Sequence, residues 1–171
     1  AEFLPLPVGQ GLAGTVAAAG SLLAIEDAPA DPMCIFPREA RESGIGSYLG
    51  AAVRSDGAII GVVEAHTSKP HSWQPDQQRA LEAAAVIIAE LVKTTDARGD
   101  RLKVESAYLG LSEALQRLRS RDEVLEAAVE VLGHALGVSR ALIVEFGEQG
   151  EPKPVEQEYR LESVKSASGT V

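Results

Sequence analysis

Ser47-Tyr48-Leu49-Gly50-Ala51-Ala52-Val53-Arg54, Ser55-Asp56-Gly57 and Ala58-Ile59-Ile60-Gly61-Val62-Val63-Glu64-Ala65 form two β-prone runs around an Asp-Gly turn. Asp-Gly between such runs is the strongest short-range hairpin signal, because glycine tolerates the positive φ of a tight turn. A polar turn from Thr67 to Gln74 follows, and then a long amphipathic helix. Pro75 suits a first helical position, and Asp76 suits the positive end of the helix dipole. Leu81, Ala84, Ala85, Ile88, Leu91 and Val92 recur at helical spacing as one apolar stripe. A lone hairpin leaves unpaired edges and an unburied face, so the rest of the chain has to supply strands.

Upstream, Ala1 to Val8 is apolar, broken by Pro5 and Pro7, and reads as an extended lead-in. Gly9-Gln10-Gly11-Leu12-Ala13-Gly14 spells GxGxxG, a pattern that lets a pyrophosphate approach a helix N-terminus. Two prolines stand where the preceding buried strand belongs, so the glycines read as a tight turn. A short helix over Thr15–Ala19 follows, capped by Gly20. Ser21–Ile25 is a short strand. Glu26 to Pro32 is an acidic, proline-punctuated loop without the spaced oxygen ligands of a calcium site, and reads as solvated. Pro37 to Glu42 is a short helix opened by proline.

Downstream, 93–100 breaks the helical pattern and is the best internal boundary. Arg101 to Arg119 reads as a helix with a narrow seam at Tyr108, Leu111, Leu115 and Leu118, suited to pairing with another helix. Ser120-Arg121-Asp122-Glu123 is a capping box. The helix it opens carries Val124, Leu125, Ala128, Val131, Leu132, Ala135 and Leu136 on a wide apolar face, and Gly137 ends it. Arg140–Phe146 and Val155–Leu161 read as strands, the second with Val155, Gln157, Tyr159 and Leu161 on one side. The tail from Glu162 thins into small and polar residues.

The 171 residues carry a formal net charge of −9 and are 45% hydrophobic. That is enough for a real core, and the acidity argues against binding a phosphate backbone. No apolar run reaches the ~20 residues of a bilayer span, and no signal peptide is expected. Cys34 is the sole cysteine, which excludes an intrachain disulfide and a cysteine-rich zinc site. No metal site is expected. A cytoplasmic setting, with neither nucleic acid nor membrane as partner, is the expectation.

Both halves resemble the GAF family of sensory domains, in different parts. Residues 9–92 are similar to the closing two-thirds of such a domain, through Gly9–Gly14, Leu22–Asp27, Gly44–Leu49, Ser55-Asp56-Gly57, Ile60–Val63 and the helix that follows. Residues 108–161 are similar to its opening, through Glu123-Val124-Leu125, Leu136–Ala141 and Val155–Leu161. The order is inverted. The resemblance implies an α+β fold, a GAF-like antiparallel sheet of about six strands when complemented, with helices on one face and a helical linker. It divides the chain into 1–95, the closing part of one GAF-like domain, 96–119, a linker or dimerisation helix, and 120–171, an opening part. The two parts are tandem fragments, or they complete one sheet within a chain or between swapped chains.

GAF domains sense cyclic nucleotides, bilins, haem or small metabolites, or serve only as partners. The resemblance therefore implies a non-catalytic sensory or regulatory module of a signalling protein, with a pocket between the sheet and Gly20–Gly46. Cys34, Phe36, Tyr48 and His66 are its expected ligand-binding residues. A homodimer through helices 75–92 and 101–119, coupled to an output signalling domain, is the expected partnership. The alternatives are a ligand-free dimerisation scaffold and a bilin-binding photoreceptor domain. Bilin-binding members usually attach the tetrapyrrole through a cysteine, commonly followed by histidine, whereas Ile35 follows Cys34 here. His66 also reads as a hydrogen-bonded turn residue, and Trp73 as a hydrophobic anchor over the hairpin. One GAF branch reduces free methionine sulfoxide by thiol exchange, and a single cysteine leaves no intrachain resolving partner. His66, His71 and His134 lie on different elements, and no nucleophile elbow is present. No catalytic residue is expected.

Overall fold

The computed structural model describes residues 6–96, 120–147, 149–162, 164 and 166. Its centre is the hairpin of β2 (Ser47–Ser55) and β3 (Ala58–Thr67). Asp56 and Gly57 take φ of 50° and 84°, the double left-handed turn that matches strand twist. Val53 pairs with Gly61 and Arg54 with Ile59, so Ile60 is an extra residue that bends β3. β1 (Leu23–Ile25) pairs antiparallel with β2. On the other edge β3 pairs antiparallel with β4 (Arg140–Glu145), from Gly61↔Glu145 to His66↔Arg140. β5 (Glu158–Arg160) completes a five-stranded sheet in the order β1-β2-β3-β4-β5. The downstream strands thus join the upstream hairpin in one sheet of one chain.

Strand alternation sends side chains to two separate cores. Leu49, Ala51, Val53, Val63, Ala65, Ala141 and Ile143 face α3 (Pro75–Asp96) and α4 (Arg121–Leu136). The α3 stripe meets them with Leu81, Ala85, Ile88, Ala89 and Val92, and α4 with Leu125, Ala128, Val129 and Leu132. Trp73 is buried in the same core, as expected of an anchor. The capping box forms, with the Ser120 hydroxyl accepting from the Glu123 amide, and Gly137 ends α4 at φ 62°. On the opposite face Tyr48, Val62, Leu142 and Val144 pack with α1 (Gly11–Ala19), a 3-10 turn at Ala28–Ala30 and α2 (Pro37–Glu42).

Several details depart from the sequence reading. The sheet has five strands among the described residues rather than about six, and helices cover both of its faces rather than one. The second cover comes from α1, which begins at Gly11 rather than Thr15. The acidic loop is not wholly solvated. Ala28 and Pro29 are buried, and the Ala28 amide donates to the Gly46 carbonyl at 3.0 Å. β5 is short because Pro152 and Pro154, which lack amide donors, precede it, although Val155 and Gln157 are still buried. On α4, Val131 is exposed and Val129 takes the inward position. The helix expected over Arg101–Arg119 lies outside the described residues. No helix among the described residues is long and apolar enough to cross a membrane.

The upstream and downstream segments share one sheet and one core, so they should unfold together. Ile88→Ala in α3 and Ile143→Ala in β4 should each cost about 2–5 kcal/mol. Both should lower the same single transition in urea, whereas Val86→Ala, at a position 65% exposed, should change stability by less than about 0.5 kcal/mol.

Candidate functional site

Two adjacent cross-strand rows carry the polar residues of the inner face. One row runs Ile25, Tyr48, His66, Arg140 and Arg160, and the next runs Leu23, Gly50, Glu64, Leu142 and Glu158. Residues opposite one another in neighbouring strands bring side chains within reach. The sheet register therefore assembles Tyr48, Glu64, His66, Arg140 and Glu158 without help from any loop. Gly50 sits at the junction. A Cβ there would lie 2.3 Å from the Tyr48 hydroxyl, so the missing side chain is what lets that ring lean toward Glu64.

The Tyr48 hydroxyl donates to Glu64 Oε1 at 2.6 Å, and Glu64 Oε2 stands 3.4 Å from His66 Nε2. The Tyr48 and His66 rings meet edge to face, with centroids 5.5 Å apart. Arg140 Nε lies 3.0 Å from Glu158 Oε1, and its Nη2 approaches the Ser43 carbonyl at 3.4 Å. Burial pushes the Tyr48 phenol well above its ordinary range, and the Glu64 charge adds to the shift. Burial also lowers the Arg140 guanidinium, against the opposing pull of Glu158 and Glu64. His66 is 2% exposed, and its Nδ1 has no hydrogen-bond partner among the described residues.

Tyr48, Glu64, His66 and Arg140 form the polar end of a cavity of about 90 Å³ between the sheet and the α1–α2 segment. By volume it has room for several waters or a small organic molecule. Apart from Gln10, its other walls are mostly apolar, with Leu12 and Ala13 from α1, Ile45, and Leu142, Val144 and Val155 from the downstream segment. All four residues singled out from the sequence, Cys34, Phe36, Tyr48 and His66, line this one cavity. Glu64 and Arg140 were missed. Polar side chains at every second position of an otherwise apolar strand, as in Val62-Val63-Glu64-Ala65-His66, are the signal that marks Glu64.

The remaining motifs resolve locally. In the GxGxxG stretch, the Gly9 amide donates to the Gly14 carbonyl at 2.7 Å and the Gln10 amide to the Pro7 carbonyl at 3.0 Å. Those donors serve the chain's own turn rather than a phosphate. His71 contacts Gln77 and the edge of Trp73, while His134 contacts the Glu130 carbonyl and Tyr159. Neither joins His66. Among the described residues no group of three or more histidine, cysteine or carboxylate side chains is arranged to hold a metal. Cys34 is half-buried, and burial pushes its thiol up. That is the reverse of the activated thiolate that covalent attachment uses, and a linear tetrapyrrole exceeds the cavity, so the residues do not fit a bilin.

The sequence profile of the GAF domain matches residues 1–92. No curated protein matches the chain. The GAF domain of a phosphoenolpyruvate-protein phosphotransferase (ptsP) from Coxiella burnetii is 23% identical over 57% of this chain and 58% of that one, with a TM-score of 0.50. The reduced form of fRMsr of Staphylococcus aureus is 22% identical over 50% and 53%, with a TM-score of 0.44. The free methionine-R-sulfoxide reductase from Neisseria meningitidis, in complex with its substrate, is 25% identical over 50% and 52%, with a TM-score of 0.43. The chain thus spans little more than half the length of the structures it matches.

The expectation that this is not an enzyme is corrected here, because free methionine-R-sulfoxide reductases are among the structures that resemble it. The cysteine count bears on disulfide exchange within one chain and does not reach catalysis in general. At these identities the likeness is one of fold and assigns no reaction. With its profile match over residues 1–92, the chain belongs to the GAF domain family.

Proposed function

We propose that the chain is a sensory or regulatory GAF module that binds a small molecule in the cavity lined by Cys34, Phe36, Tyr48 and His66. The observation that carries this reading is His66 Nδ1, a buried ring nitrogen without a partner beside an open cavity. An unmet buried hydrogen-bonding atom costs about 1–3 kcal/mol, and a ligand that meets it recovers that cost. The inverted order of the two GAF-like parts is read here as one complemented unit, supported by the β3–β4 ladder. The seam at Tyr108, Leu111, Leu115 and Leu118 supports pairing of 101–119 with a second copy, and through it coupling to an output domain of a longer protein.

Thermal unfolding across a metabolite panel tests the cavity. A ligand at about one hundred times its Kd should add ~2.7 kcal/mol of stability. Leu142→Phe, which fills the space, should abolish that gain at a cost of about 1–3 kcal/mol to the free protein. If no compound acts, or if the filled variant responds like the parent, the ligand reading falls and a scaffold remains. Leu115→Glu should convert a dimer to a monomer in sedimentation.

Tyr48 provides a pH test. Its folded pKa is raised, so its contribution to stability is complete below the unfolded phenol value of about 10 and is lost as pH rises toward the folded value. Stability should fall on the alkaline side in the parent and fall less steeply in Tyr48→Phe. Tyrosinate absorbance from Tyr48 should appear together with unfolding.

A further inference from the structure

We infer that the cavity takes an uncharged guest whose head both donates and accepts hydrogen bonds, a primary carboxamide on a short branched apolar body; this rests on the cavity being a ligand site. Charge balance excludes ions. Among the described residues the cavity wall carries one carboxylate, Glu64, and one guanidinium, Arg140. Both side chains are less than a tenth exposed, and each charge acts on the other from a neighbouring strand. Behind them the buried Glu158 stands 3.0 Å from Arg140 Nε, and Arg160 answers Glu158 from 3.9 Å away at the wetter edge. Two carboxylates and two guanidiniums sum to zero in this cluster. A guest of net charge would be buried here without a counter-ion of its own, and that is costly.

Hydrogen bonding selects among neutral heads. Both ring nitrogens of His66 are buried and lack a hydrogen-bond partner among the described residues. A neutral imidazole carries one donor and one acceptor, a carboxylate only accepts and a guanidinium only donates. The polar end of the cavity therefore presents both kinds of group, with Glu64 and His66 on β3 and Arg140 on β4. A primary carboxamide answers in kind, its oxygen accepting and its NH₂ donating from two places on one planar carbon. A ketone accepts and cannot donate, and a hydroxyl has to serve both roles from one atom. Shape sets the body. Away from these groups the wall is mostly apolar, and the volume of about 90 Å³ admits a small branched chain rather than a ring system.

Isobutyramide, isobutyrate, isobutyramidinium, 3-methyl-2-butanone and 3-methyl-2-butanol share one branched body and differ at the head. Their affinities for the 171-residue chain, from NMR titration at pH 8, where imidazole is ordinarily neutral, test the inference. Isobutyramide should bind at least about ten-fold more tightly than either ion, because only the ions bring an unmatched charge. The ketone and the alcohol should bind about three- to ten-fold more weakly than the amide, the factor of one lost hydrogen bond. Glu64→Gln, which still accepts from Tyr48, leaves a positive excess in the cluster. It should raise the affinity of isobutyrate relative to isobutyramide by about ten-fold. An ion, the ketone or the alcohol binding the parent as tightly as the amide overturns the assignment while leaving the cavity a ligand site. So does an isobutyrate-to-isobutyramide ratio that Glu64→Gln leaves unmoved. Silence from all five, with other panel compounds still stabilising the protein, overturns it as well. Silence from every compound removes the site itself.

Discussion

The ladder between β3 and β4 is the constraint on which the rest depends. It joins residues 61–66 to 140–145 across a wide gap in sequence. Without it β3 would be an edge strand with six residues of open backbone, and α4 would have no strand of its own to lie on. With it, the hairpin is flanked on its second edge, α3 lies beside α4, and one apolar core runs through both segments. Closing such a long connection costs entropy only logarithmically in its length, so the apolar burial that follows readily outweighs it.

That ladder also creates the polar cluster. In an antiparallel sheet, register decides which side chains meet, and a slip of one residue would turn every one of them to the other face. Tyr48, His66 and Arg140 are cross-strand neighbours in sequence order along a single row. The same row ends at Ile25 and Arg160, so the sheet grades from an apolar edge to a charged one.

Local chemistry made much of the fold legible in the sequence. Asp56-Gly57 dictated the hairpin, Ser120 and Glu123 dictated the start of α4, and Pro37 dictated α2. Each of these is a signal contained within a few residues. What stayed hidden was non-local. Nothing near Gly11 announces that α1 and the Ala28–Ala30 turn will cover a second sheet face, since that depends on which face Tyr48 and Val62 occupy. Of the four cavity residues read from the sequence, Tyr48 and His66 meet because they pair across the hairpin, and Cys34 and Phe36 join them because the segment before α2 covers that sheet face. Glu64 was passed over, and only the pairing of β3 on both sides reveals that it is buried.

The walls of the cavity come from two stretches that the sequence keeps apart. Tyr48, Glu64 and His66 belong to the upstream stretch, and Arg140, Leu142, Val144 and Val155 to the downstream one. A molecule held between them is therefore also an adhesive. Its binding free energy adds directly to the docking of one stretch on the other, by the same linkage that ties any ligand to the state that binds it. Whatever pulls the two stretches apart must expel the guest, and whatever expels the guest loosens their union.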